Sequence, residues 1–207
     1  MSKKIGNFHH GNLSDALVEA ATRLITERKA TTFSLREVAL SLGVSHAAAY
    51  RHFNSKSDLL AVIAQSGFTQ LRFSLEAGQV TNANGMDVKK TLRAMGNAYI
   101  EFAINNAGAY RTLFHPDICD AQQYPQLHEV SFASLQVLID VLTTGQNNGL
   151  VADTPPAADL ATSIWAALHG YSVLLLDRQI AETGDYYAPP ANRAAFLDFI
   201  YFRSFVN

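Results

Sequence analysis

An all-α chain is predicted by three features of these 207 residues. Apolar residues recur at three- and four-residue spacing through nearly every segment, as one face of a helix requires. No stretch alternates apolar and polar residues for long enough to build a sheet. Breaks at Gly43, 78–85, Pro116, Gly149 and 184–190 cut the pattern into helix-sized pieces.

Taken in order, Leu13, Leu17, Ala20, Ala21, Leu24 and Ile25 form the apolar stripe of a first helix opening near Asn12. Leu35, Val38, Ala39 and Leu42 mark a second. Ala39 is small enough for a neighbouring helix to cross closely, and Gly43 permits the left-handed conformation of a tight turn. Ser45 is a ready N-cap for a third helix carrying His46, Tyr50, Arg51 and His52 beside Ala47, Ala48 and Ala49, with Phe53 closing the core. The spacing predicts a helix-turn-helix, whose slim third helix suits a DNA major groove.

Ser57 is expected to cap a longer helix bearing Leu59, Leu60, Ile63, Phe68, Leu71 and Leu75, linking the DNA end to the body. Further helices are expected over 86–106, 109–114 and 125–148, the last stopped by Gly149, with 117–124 as loop. Asp153 or Thr154 should cap the next, with Pro155 and Pro156 in its first turn. Its roughly 28 residues would span about 40 Å. A last helix should cover 192–205. The uncharged run 160–176 holds Thr162, Ser163, His169 and Ser172 and falls short of the ~20 residues a membrane span needs, so it reads as a buried helix.

Composition is that of an ordered globular protein, 48% hydrophobic and 16% charged. The lone Cys119 cannot form an internal disulfide and fits a reducing cytoplasm. Residues 1–11 lack the apolar run of a secretory leader. The net charge of −2 divides unevenly: residues 1–60 hold eight Lys/Arg and five Asp/Glu, while the rest hold eight and thirteen. A basic head on an acidic body is expected if one end meets phosphate.

The helix-turn-helix, then Tyr50-Arg51-His52-Phe53, then Lys56-x-Asp58-Leu59-Leu60, resembles the N-terminal domain of TetR-type transcriptional regulators. The resemblance runs from about Phe8, through the stretch HHGNLSDALVEAA, to about Ala64. Trp165, His169 and Gly170 resemble the element of TetR relatives with a C-terminal Trp-x-x-x-His-Gly signature. The resemblance implies an N-terminal three-helix DNA-binding domain at 1–56. It implies an antiparallel helical bundle at 57–207 for ligand binding and dimerisation.

By matching position, the resemblance places Ser34 and Arg36 at the phosphate backbone and Ser45, His46 and Ala47 at base edges. Tyr50 falls on the sugar-phosphate, Lys56 is a phosphate clamp, and Arg51 and His52 complete the set. His52 has packing against the first helix as an alternative. Lys3, Lys4, His9 and His10 form an arm over the adjacent groove or an unstructured terminus. Three consecutive alanines leave few hydrogen bonds for bases, although alanine can touch a thymine methyl, so much specificity should come from backbone contacts and DNA shape.

In the body, Met95, Tyr99, Phe102, Phe114, Phe132, Leu135, Trp165 and His169 are candidates to line an apolar effector pocket, with ordinary core packing as the alternative for each. Trp165 lies one turn before His169 on the same face. The last two helices are apolar on nearly every side, which asks for cover all round. A two-fold partner through Leu168, Leu175, Phe196, Phe199 and Ile200 would supply it and set two recognition helices on a palindromic operator; a central core helix in a monomer is the other reading.

The expected partners are double-stranded DNA, a second copy of the chain and an unidentified small molecule, with no membrane, metal or cofactor. The implied function is a cytoplasmic repressor released by a ligand. Activation or global regulation would use the same DNA-binding parts. An architectural DNA binder would need a more extended basic surface. An enzyme is disfavoured, because His115, Asp117, His128 and His169 follow no catalytic spacing and His9-His10 alone makes no metal set.

Overall fold

A computed structural model describes residues 13–82, 85–182 and 191–202. Its helices are α1 (Leu13–Arg28), α2 (Leu35–Ser41), α3 (His46–Tyr50), α4 (Lys56–Ala77), α5 (Val88–Asn105), α6 (Ala107–Tyr110), α7 (Pro125–Asn147), α8 (Ala157–Leu176) and α9 (Arg193–Phe202). A 3-10 turn covers Pro116–Ile118, inside the stretch expected as loop. The all-α expectation holds, with one small departure: β1 (Thr81–Asn82) and β2 (Gly85–Met86) pair antiparallel, taking the end of the expected 78–85 loop and the first residue of the helix expected over 86–106.

The chain forms two compact units. The first takes the residues up to Gly67 together with Gly108–His128; the second takes Phe68–Ala107 and everything from Glu129 onward. Both α4 and α7 begin in the first unit and continue in the second.

In the first unit, Leu17, Ala20, Ala21 and Ile25 of α1 are buried with Leu35, Val38 and Ala39 of α2, Ala49 of α3, Phe53, and Leu59, Leu60 and Ile63 of α4. Gly43 takes the predicted left-handed conformation, φ 69°, and Val44 N–H donates to Ala39 O at 3.0 Å. Gly108 on α6 lies hard against α1. A Cβ there would fall 2.4 Å from both the Thr22 carbonyl oxygen and Thr26 Oγ1. His115 Nδ1 accepts from the Asp117 N–H at 3.2 Å, so its Nε2 is left to donate to Thr31 Oγ1 at 2.9 Å.

In the second unit, α5, α8 and α9 pack together. Leu92, Met95 and Ile100 of α5, Ala161, Ile164 and Leu168 of α8, and Leu197 and Tyr201 of α9 are all buried. Gly96 lets α9 approach α5, since a Cβ there would meet Leu197 Cδ2 at 2.6 Å and the Tyr201 ring at 2.9 Å. Ser134 of α7 donates to Phe68 O of α4 at 3.0 Å.

Three helix ends differ from expectation. Ser55, not Ser57, caps α4: its hydroxyl accepts from the Asp58 N–H at 3.0 Å, which leaves Ser57 inside the first turn. Neither Asp153 nor Thr154 caps α8; Pro156 is its N-cap, without a side-chain bond. Pro156 disfavours helical backbone at Pro155, and its own extended backbone leaves the helix to open at Ala157. At its far end α8 stops after 20 residues rather than 28, because Arg178 turns left-handed at φ 56° and Gln179 N–H folds back to Leu174 O at 2.8 Å. The short helix expected over 109–114 is the single turn of α6, followed by turns to Phe114.

Candidate functional site

The recognition surface is built on two serine caps. Ser34 Oγ accepts from Glu37 N–H at 3.2 Å, and Glu37 Oε2 accepts from Ser34 N–H at 2.8 Å, a reciprocal capping box. Arg28 reaches across from α1 to the same carboxylate at 3.0 Å. Backbone bonding from Ser34, aided by Arg28, holds the Glu37 carboxyl below its usual range. Stability from that shift is therefore fully present above the unfolded carboxylate pKa and is lost as pH falls through the lower folded value. Ser34→Ala should destabilise the domain by about 1 kcal/mol. In thermal melts at pH 7 and pH 3, the difference between wild type and Glu37→Gln should shrink at pH 3; an equal difference at both would place the carboxylate outside the box.

Ser45 Oγ in turn accepts from Ala48 N–H at 3.2 Å and fixes the start of α3. Only Ala49 of this helix is fully buried, against α2, so Ser45, His46, Ala47, Tyr50 and Arg51 stand exposed around it. Of the predicted DNA-contact set, Ser34, Arg36 and His52 are exposed as well, and His52 is not packed into the core. Lys56 is half-buried, its Nζ 5.2 Å from the centre of the Phe33 ring, a cation–π contact that restricts where the ammonium can go. The first unit thus carries all nine residues. The proposed arm residues Lys3, Lys4, His9 and His10 lie outside the described residues.

Sequence reasoning missed the Arg28–Glu37 tie and the Phe33–Lys56 contact. The capping box was readable as Ser34-x-x-Glu37 before an apolar helix. The other two join residues nine and twenty-three apart, and no local pattern announces them.

Among the effector candidates, Met95, Tyr99 and Phe102 are buried on α5, and Trp165 and His169 are half-buried on α8. Tyr99 OH lies 3.4 Å from His169 Nδ1, and burial pushes the His169 pKa down, which favours the neutral ring. Leu135 is half-buried on α7, whereas Phe132 is 58% exposed. Phe114 belongs to the first unit. The structure therefore joins Tyr99 with His169.

Of the dimer candidates, Leu168 is buried inside the unit, Leu175, Phe196 and Ile200 are half-buried, and Phe199 is 61% exposed. Phe196 stacks on Tyr171 at 4.2 Å between ring centres. Arg193 ties α9 to Glu182 at 2.6 Å and to Glu101 at 3.4 Å, and Tyr171 OH donates to Glu182 at 2.8 Å. Arg93 pairs with Asp198. Among the described residues no helix is long and apolar enough to cross a membrane, and no three His, Cys, Asp or Glu side chains gather as a metal site requires.

A capped, exposed recognition helix backed by two others and followed by a larger helical unit defines a DNA-binding regulator of the helix-turn-helix class. Two family models agree: residues 17–63 match that of bacterial regulatory proteins of the tetR family, and residues 92–193 match a tetracyclin repressor-like C-terminal domain. The chain belongs to the TetR family of transcriptional regulators, with a DNA-binding and a ligand-binding domain.

Solved structures share the fold along nearly the whole length. A protein of unknown function from Rhodococcus sp. RHA1 is 23% identical, with a TM-score of 0.73, over 97% of this chain and 99% of that one. A tetR-family regulatory protein from Rhodococcus RHA1 is 15% identical, with a TM-score of 0.72, over 92% and 96%. The TetR family regulator PfmR from Thermus thermophilus is 21% identical, with a TM-score of 0.69, over 89% and 96%.

Proposed function

We propose that this chain is a cytoplasmic, homodimeric repressor that binds a palindromic operator and is released by a small molecule. The carrying observation is the α3 surface, where His46, Ala47, Tyr50 and Arg51 are exposed on a helix fixed by Ser45 and seated on Ala49. In this reading residues 1–56 bind DNA and 57–207 bind effector and partner. Arg36 and Lys56 hold phosphates, Tyr50 meets the sugar-phosphate, and Ser45, His46 and Ala47 face base edges. Ser34 keeps the phosphate role through its place at the start of α2, since its hydroxyl and its backbone N–H are both engaged with Glu37.

The apolar residues left open on α8 and α9, Leu174 and Phe199, support a partner copy on that face. In this reading the C-terminal part groups with the Trp-x-x-x-His-Gly relatives on the strength of Trp165, His169 and Gly170. Ligand release fits a population shift carried by α4, a single helix of 22 residues that belongs to both units. No residue distinguishes repression from activation, and the family alone favours the former. We read the chain as a regulator and not an enzyme.

Selection of bound duplexes from a random DNA pool at near-physiological salt tests the reading. The wild type should enrich a palindrome, and Tyr50→Ala should lose it. An enriched site without two-fold symmetry would overturn the dimer. Binding without any enrichment, fading steeply with salt, would overturn sequence-specific recognition.

A further inference from the structure

The segment Gly108–His128 follows α5 in the chain, yet it belongs to the first unit, which carries all the predicted DNA contacts. Its contacts there reach α1, the α1–α2 loop and the start of α4. Gly108 seats on α1 against Thr22 and Thr26. His115 Nε2 donates to Thr31 Oγ1 at 2.9 Å, its other nitrogen being committed to the Asp117 N–H. Tyr124 OH donates to Asp58 Oδ1 at 3.2 Å.

The direction of the Tyr124 bond is fixed. Gln123 Nε2 donates to the same hydroxyl at 2.9 Å, so the single phenolic proton is left for the carboxylate. Burial, and after it Asp58, pushes the Tyr124 pKa up, against smaller opposing contributions from the Ser55 and Ser57 side chains. The hydroxyl therefore stays a donor. Ser55 caps α4, and Ser57 and Asp58 lie in its first turn, so Tyr124 bears on the turn that begins with Lys56.

His115 bears on the other neighbour of the same lysine. Thr31 lies two residues before Phe33, and its carbonyl accepts from the Phe33 N–H at 3.1 Å. The buried Phe33 ring is the one that lies 5.2 Å from Lys56 Nζ. One contact thus steadies the ring that holds the ammonium, and the other steadies the turn that carries its side chain. Charge adds to this. Asp58 stands two residues from Lys56 and repels a phosphate arriving there, and a donor on that carboxylate draws its charge toward Tyr124.

We infer that the segment Gly108–His128 is a brace for DNA binding, in which His115 and Tyr124 are positioning residues that set the Lys56 ammonium for its phosphate, one through Thr31 and Phe33 and the other through Asp58. The inference rests on reading Lys56 as a phosphate clamp. Neither residue has to touch DNA, and the contribution to affinity comes from well outside the helix-turn-helix.

The test titrates the full chain with a random-sequence duplex at four salt concentrations, since phosphate contacts need no operator. Tyr124→Phe and Thr31→Val each delete one hydroxyl and keep nearly the same volume. Each should weaken binding about fivefold, as the loss of a coupled neighbour does. Each should also make the slope of log affinity against log salt shallower, toward that of Lys56→Ala. Placed on the Lys56→Ala background, either change should cost nothing further. A loss of stability alone would lower affinity equally on both backgrounds and leave the slope at its wild-type value.

Wild-type affinity and slope in both hydroxyl variants, beside a weakened Lys56→Ala, would overturn the brace and leave the clamp standing. Equal losses with and without Lys56 would also overturn it, since the two bonds would then serve stability only. If Lys56→Ala itself binds like wild type, the clamp reading falls and the brace with it.

Discussion

Gly108→Ala should lower stability by about 3 kcal/mol, because overpacking against groups that cannot yield sits at the upper end of such costs. The new methyl would fall 2.4 Å from the Thr22 carbonyl oxygen, a backbone atom, and from Thr26 Oγ1, whose own bond to Thr22 O holds it in place. Alanine's better helix propensity, worth up to about 1 kcal/mol, cannot offset that clash. For a chain of this length the melting temperature should fall by about 6–12 °C. Gly170 supplies the internal control. It too is a helical glycine, but nothing lies within 4 Å of a Cβ built on it, so Gly170→Ala should leave the melt unchanged or raise it. Calorimetry on both variants checks the contrast, and equal melts would mean that α6 does not seat on α1 as described.

Lys56→Ala should weaken binding to all DNA sequences alike. Loss of a charged hydrogen bond of about 1.5 kcal/mol in each protomer amounts to about a hundredfold for a two-fold dimer. The slope of log affinity against log salt should become shallower by about 0.9 per lost phosphate contact, about 1.8 for the dimer. Lys56→Arg should keep most of the affinity, since a guanidinium can still lie over Phe33 and reach phosphate. Titrations at four salt concentrations on an operator and on a scrambled duplex decide the matter. A change confined to the operator would mean that Lys56 touches a base.

The helix-turn-helix was legible because its signals are local. Gly43, Ser45 and the small Ala39 act within a turn of where they stand, and all three do what their chemistry predicts. The end of α8 was not legible, because an arginine closes it in a conformation usually given to glycine. The pairing of Tyr99 with His169 was only half readable. Tyr99 and His169 are seventy positions apart and meet through packing. Phe132 is 58% exposed, and aromatic character does not say which way a helix face turns. Among the described residues the buried hydroxyls of Ser172 and Tyr201 have no hydrogen-bond partner, which no sequence pattern signals, since serine and tyrosine in an apolar helix are ordinarily satisfied.

At five residues, α3 is too short to persist as a helix by itself; it exists because Ala49 is held against α2 and Ser45 caps it. The positions that keep the helix and those that face outward are therefore different residues. Substitutions at 46, 47, 50 and 51 can accumulate with little penalty to folding. Drift in target sequence during evolution, or its deliberate redesign, is thereby uncoupled from survival of the domain.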